Sequence, residues 1–162
     1  MFGRASLVIV LMALACLLAT PLRVTAADRH SGYYYPDPGA AEVYVSRGKQ
    51  LPGVNRTTRI GFVTGLTAQQ SSQPYPALTA IFAKGSEAEK LIIVSLTDGR
   101  LNTIYRARAV LALMTAMART TKIFQKYRVE TVFTFLDLCK MLGFTQLTIS
   151  DGIGFSHQFK IR

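Results

Sequence analysis

The carboxyl-terminal stretch carries the clearest fold signal in the chain: Thr145-Gln-Leu-Thr-Ile-Ser150, Asp151-Gly-Ile-Gly154 and Phe155-Ser-His-Gln-Phe-Lys-Ile161. The two outer segments alternate apolar and polar residues, as half-buried strands do. The middle segment is rich in residues that accept positive φ, which favours a tight turn. The sequence therefore predicts a terminal hairpin, with His157 on the apolar side of its second strand.

A second hairpin is predicted upstream. Ala77–Lys84 and the continuous apolar run Lys90–Leu96 are joined by a short polar turn, as in an antiparallel pair at the centre of a sheet. Three further short apolar segments also indicate strands. These lie at residues 43–46, 59–66 and 129–133.

Between the hairpins the apolar period changes to that of a helix. It predicts one long helix from Leu101 to about Lys122 and a shorter one from Thr134 to Leu142, which Gly143 ends. The predicted fold is a compact α+β domain with a mainly antiparallel sheet of five or six strands. Both helices are expected to pack on one face of that sheet.

Length and composition are typical of one small folded domain. The chain has 162 residues, of which 49% are hydrophobic, with two cysteines and no tryptophan. It is too apolar to be disordered as a whole, and two cysteines cannot build a disulfide-dense scaffold.

The first 27 residues are typical of a secretory signal peptide. Arg4 precedes a long apolar run, and the small residues before Asp28 offer a cleavage site after Ala26 or Ala27. We expect a periplasmic protein. Cleavage removes two arginines and no acids from a net charge of +10, which leaves +8. The alternative is an uncleaved signal that anchors the chain in the membrane, and this would be its only membrane contact.

The sequence thus divides into a signal peptide (1–27), an extended Tyr/Pro-rich arm (28–57) and a single α+β domain (58–162). The arm contains Tyr33, Tyr34 and Tyr35. Amphipathic rings on an extended arm either cap the domain's own core or grip a partner.

Basic residues form a second candidate interaction surface. If the long helix continued, Arg108, Thr115, Arg119, Lys122 and Lys126 would share one polar stripe. Such a stripe docks an anionic surface or is simply solvated. The partners would be an unknown protein or an anionic envelope component, with no signal for specific nucleic-acid binding.

The sequence contains no complete catalytic, metal or cofactor motif. His30 and His157 are far apart, and neither a nucleotide-binding glycine loop nor a nucleophile elbow is present, so we predict no metal and no cofactor. The weak catalytic candidates are His157, Asp151 and Cys139, with Asp98 as a further acid. The alternative for His157 and Cys139 is a place in the core.

Six segments are distinctive in combination with the signal peptide: His30-Ser-Gly-Tyr-Tyr-Tyr-Pro36, Ile60-Gly-Phe-Val-Thr64, Ala80-Ile-Phe-Ala-Lys-Gly85, Tyr105-Arg-Ala-Arg-Ala-Val110, Leu142-Gly-Phe144 and Ile149-Ser-Asp-Gly152. This combination resembles a family of small exported bacterial proteins of unknown function, often labelled molybdopterin-guanine dinucleotide biosynthesis protein A. The resemblance spans almost the whole mature chain and implies an exported bacterial domain. The label implies a molybdenum-cofactor-related role, but the glycine-rich loop of such nucleotidyltransferases is not present and no catalytic residue is carried over.

These observations favour an exported, non-enzymatic interaction or accessory module. The alternative is a small-ligand binder or an enzyme with a site near His157 and Asp151.

Overall fold

The computed structural model of the chain describes residues 38–162. The predicted signal peptide and Tyr33, Tyr34 and Tyr35 lie outside the described residues. The strands are β1 (Ala40–Tyr44), β2 (Thr79–Lys84), β3 (Lys90–Ser95), β4 (Gln146–Ser150) and β5 (Ser156–Ile161). The helices are α1 (Arg56–Ser71), α2 (Ile104–Arg119), α3 (Lys122–Tyr127) and α4 (Phe135–Met141).

The five strands form one mixed sheet in the order β1-β5-β4-β3-β2. The two predicted hairpins, β2–β3 and β4–β5, are antiparallel. The prediction of a mainly antiparallel sheet was wrong, because β3 pairs with β4 and β1 pairs with β5 in parallel. Three helices lie between β3 and β4 in the chain and bring it back to the same end of the sheet, as a parallel pair requires.

The segment 59–66, predicted as a strand, is part of helix α1. Asn55 is the N-cap: its side-chain oxygen accepts from the Thr58 backbone N–H at 3.0 Å, and the Thr58 hydroxyl accepts from the Asn55 N–H at 3.4 Å. This capping box satisfies two free donors at the helix start. Phe62, Val63 and Leu66 then face the core at helical spacing. The cap therefore outweighs the strand preference of the β-branched residues.

The predicted long helix is two helices, and the short one is confirmed as α4. Helix α2 ends at Arg119, and Thr121 begins α3 by accepting from the Phe124 N–H at 3.4 Å. The hydroxyl of Thr121 also donates to the Ala118 carbonyl at 2.6 Å, which satisfies the end of α2. Residues 129–133, predicted as a strand, form turns held by bonds to the Val129 carbonyl.

The core lies between the helices and one face of the sheet. Side chains from all four helices contact the inward-facing residues of the strands in a single apolar cluster. The aromatic centre is formed by fully buried Phe124, Phe135 and Phe144. Helix α2 packs against α4, and α1 packs against β2.

Candidate functional site

His157 lies on the apolar side of β5, as predicted, and its side chain is only 7% exposed. Its Nε2 is 2.7 Å from Oε1 of Glu42 on β1, although the ring N–H is not aligned with that oxygen as a hydrogen bond requires. Its acidic neighbour is therefore Glu42 and not Asp151. The ring packs beside Phe159, 4.8 Å between centroids.

Glu42 also pairs with Arg108, whose Nη2 donates to the same Oε1 at 2.9 Å. The guanidinium of Arg108, with a smaller effect of His157, holds the pKa of Glu42 below its usual range. This cluster joins β1, β5 and α2. An acid beside an imidazole is half of a general-base arrangement. The other half would be a nucleophile at the opposite ring nitrogen, and no side-chain hydrogen bond to the His157 ring is found within residues 38–162.

The Asp151 carboxylate is hydrogen-bonded within its own turn, between β4 and β5. One carboxylate oxygen, Oδ1, accepts from the backbone N–H groups of Ile153, Gly154 and Phe155 at 2.8–3.0 Å. Burial raises the pKa of this carboxyl, but the three N–H donors outweigh it and the pKa lies below its usual range. Asp151 therefore stabilises the hairpin turn.

Cys139 is fully buried in α4. Burial and, to a smaller extent, the nearby Asp137 carboxylate raise the pKa of its thiol far above the usual range. A nucleophilic cysteine needs the opposite conditions, exposure and a lowered pKa. Cys139 thus behaves as a small core residue.

The predicted basic stripe does not lie on one helix, because α2 ends between Thr115 and Lys122. Thr115 faces inward, where its hydroxyl donates to the Leu111 carbonyl and accepts from the Phe135 N–H at 3.0 Å. Arg108 is paired with Glu42. Arg119 and Lys122 are exposed on either side of the helix break, and their role in partner binding stays a prediction.

A cavity of about 830 Å³ lies between α1, the loop after α1, β2 and α2. We call it the α1–α2 cavity. This volume is in the range of small-molecule pockets, about 300–1,000 Å³. Its wall is mostly apolar, and several of its members remain exposed: Tyr75 is 64%, Leu78 46% and Leu113 62% exposed. The other apolar lining residues are Leu66, Pro76, Ala77, Ile81, Leu101, Ala109, Val110, Met114 and Met117.

The polar groups of the α1–α2 cavity belong to two groups of side chains. Three glutamines of α1 and its following loop, with Thr79 and Ser95, form one group; Gln70 donates to the Thr79 hydroxyl at 2.8 Å. The other lies around the start of α2, where Asp98, Arg100 and Arg106 line the wall. A mainly apolar wall with few polar groups is the usual composition of a small-molecule site.

Neither a metal centre nor a membrane span is found in residues 38–162. No set of three or more His, Cys, Asp and Glu side chains is placed to hold a metal ion there. None of the helices in this part of the chain has the length and hydropathy of a membrane-crossing segment.

Comparisons of the chain with protein-family models, with curated proteins and with solved structures find no match. The resemblance to small exported bacterial proteins therefore stays a prediction.

The α1–α2 cavity was not predicted from the sequence. Its wall depends on α1, which was predicted as a strand, and on the loop before β2. Two signals were available: the apolar Tyr75-Pro-Ala-Leu78 segment in an otherwise polar loop, and Leu113 beside the core-facing Met114 of α2. Exposed apolar residues that are adjacent in space indicate a binding surface.

Proposed function

We propose that the chain is an exported, non-enzymatic binding module that holds a small, largely apolar molecule in the α1–α2 cavity. The observation that carries this proposal is the cavity itself, about 830 Å³ with a mostly apolar wall. Three of its wall residues, Tyr75, Leu78 and Leu113, are about half or more exposed. Burying these surfaces against a ligand is favourable by about 25 cal/mol per Å² of apolar area.

The state of the predicted catalytic side chains supports a binding role over an enzymatic one. Asp151 accepts three backbone N–H groups, Cys139 is fully buried, and His157 is buried beside Glu42. A catalytic group needs access to its substrate. None of these three lines the α1–α2 cavity. The further candidate acid, Asp98, does line it, but the lining that the described residues contribute contains no histidine or thiol to act with it.

The export part of the proposal is supported by the sequence of residues 1–27, which has the charged start, apolar run and small-residue end of a signal peptide. An exported binder would meet its ligand in the periplasm. N-terminal sequencing of the protein from its native envelope fraction tests this, with a start at Ala27 or Asp28 expected and a start at Met1 contradicting cleavage.

Titration with the neutral fluorescent probe N-phenyl-1-naphthylamine tests the binding role. We expect saturable fluorescence enhancement with one site per chain. The variant Leu113→Glu should abolish it, because it puts a charge into the apolar wall at an exposed position that the core does not need. The matched control is Ala112→Glu, on the same helix and also exposed but outside the cavity lining. Equal loss of binding in both variants, or no binding by the unmodified chain, would contradict the proposal.

A second candidate function is contact with an anionic envelope surface through Arg119 and Lys122. It is favoured by the exposure of both side chains and by the absence of a carboxylate within ion-pair distance of them among residues 38–162. Cosedimentation with phosphatidylglycerol vesicles should be lost in the double variant Arg119→Gln/Lys122→Gln. Unchanged cosedimentation would eliminate this candidate.

A further inference from the structure

The end of the α1–α2 cavity next to the start of α2 is positively charged. Arg106 lies in the first turn of α2, where its Nη1 donates to the Asn102 side-chain oxygen at 2.9 Å and to the Gly99 carbonyl. These two bonds place the guanidinium beside the loop that joins β3 to α2. Arg100, in that same loop, also lines the cavity. Two arginines therefore line the cavity at the end next to the start of α2.

Neighbouring acids offset only part of this positive charge. Asp98 is the one carboxylate in the cavity lining, and no ion pair joins it to Arg100 or Arg106 in the described part of the chain. The first turn of α2 contains no acidic residue. A cation there faces the positive end of the helix dipole, which is unfavourable. The charge of Arg106 at this position thus favours the binding of an anion.

We infer that the ligand of the α1–α2 cavity is an anionic amphiphile, with its alkyl or aryl body on the wall formed by Leu66, Leu113 and Met117 and its carboxylate or phosphate head at Arg100 and Arg106. This inference rests on the proposed function and adds the chemical class of the ligand. Guanidinium groups suit such heads because their planar fork donates two parallel hydrogen bonds to a carboxylate or phosphate. Arg106 has donors left for this, since its bonds to Gly99 and Asn102 both use Nη1.

The test is displacement of N-phenyl-1-naphthylamine by three ligands with the same ten-carbon chain: decanoate, decanol and decyltrimethylammonium. The two ionic ligands are used below their micelle concentrations and decanol below its solubility limit. Decanoate should bind about tenfold more tightly than decanol, as expected for one charge-assisted contact that is partly open to solvent. The cation should bind most weakly. Added salt should reduce the advantage of decanoate without affecting decanol.

Three variants assign the preference to the charged end. Arg106→Gln should lower the affinity for decanoate to that for decanol, while the affinity for decanol stays unchanged. Arg100→Gln should lower the affinity for decanoate by a smaller amount. Asp98→Asn should strengthen decanoate binding, since it removes the opposing carboxylate. The matched control is Arg119→Gln, at the other end of α2 and outside the cavity, which should keep the full preference.

Equal affinity of the unmodified chain for decanoate and decanol would overturn this inference and leave the proposed function standing. A preference for decanoate that survives Arg106→Gln and Arg100→Gln together would also overturn it. Displacement of the probe by sodium sulfate alone would indicate a free-anion site and contradict an amphiphile. If neither the neutral probe nor any of the three ligands binds, the proposed function itself is contradicted.

Discussion

Replacing Asp137 by Asn should destabilise the fold more than any other exchange of a carboxylate for an amide. The Asp137 carboxylate is fully buried at the start of α4 and accepts five hydrogen bonds. One oxygen accepts from the Ser46 hydroxyl and the Arg47 N–H at 2.9 and 2.8 Å. The other accepts from Tyr44 and from the N–H and hydroxyl of Thr134 at 2.8–3.1 Å. Asp137 thus connects the segment after β1 to α4.

The size of the effect follows from these bonds. An amide keeps one acceptor oxygen and turns the other position into a donor, so at least two of the five donors lose their acceptor. Hydrogen bonds to a charged group contribute about 1.5–3 kcal/mol each. We therefore expect the free energy of unfolding to fall by about 3–5 kcal/mol, a large part of the 5–15 kcal/mol typical of a domain.

Urea unfolding at several pH values measures this effect and its origin. Burial alone would raise the pKa of Asp137, but the N–H groups of Thr134 and Arg47 outweigh it and the pKa is lowered. A carboxyl with a lowered folded-state pKa contributes stability above its unfolded pKa, about 3.9, and loses it as the pH falls through the folded value. The difference between wild type and Asp137→Asn should therefore be largest near neutral pH and shrink below about pH 4.

The control for this experiment is Asp98→Asn, an exchange of the same kind at an exposed position, where the expected change is within about 0.5 kcal/mol. Equal stability of the two variants, or an Asp137→Asn effect that does not depend on pH, would show that the carboxylate does not hold the segment after β1 against α4.

The remaining predictions concern two glycines, Gly143 and Gly65, and the buried Cys139. Gly143→Ala should destabilise the fold by about 1–2 kcal/mol or more, because Gly143 has φ +77° and an added Cβ would lie 2.6 Å from Nη1 of buried Arg59. Gly65→Ala, in the open interior of α1, should instead stabilise it by about 0.5–1 kcal/mol, and thermal unfolding of the pair would contradict this reasoning if both changes had the same sign. Cys139 should resist iodoacetamide in the native protein and react fully in urea, as mapped by peptide mass spectrometry, and native labelling at this position would show that the thiol is accessible.

The sequence predicted the elements whose pattern is local. Both hairpins and α4 follow from alternation, turn residues and a C-terminal glycine, and the structure confirms them. The core position of His157 follows from the same alternation. These signals depend only on neighbouring residues, so one sequence is enough to read them.

The errors arose where short-range hydrogen bonds outweigh side-chain preference. Asn55 and Thr58 cap α1 over a run of β-branched and aromatic residues, and Thr121 divides α2 from α3 within one apolar period. The pairing of β1 with β5 and of β3 with β4 joins distant parts of the chain, so no local pattern specifies that it is parallel. The α1–α2 cavity depends on both α1 and α2 and was missed for that reason.

The parallel pairing of β1 with β5 also determines how the domain responds to force. At the start of the described residues, the Gly39 N–H donates to the Ser156 carbonyl. At their end, the Arg162 N–H donates to the Tyr44 carbonyl at 2.9 Å. Tension between the two ends pulls β1 and β5 in opposite directions along a shared axis. The hydrogen bonds between them are then loaded together in shear and do not open one after another, so the domain should resist stretching far better than its hairpins would if peeled apart.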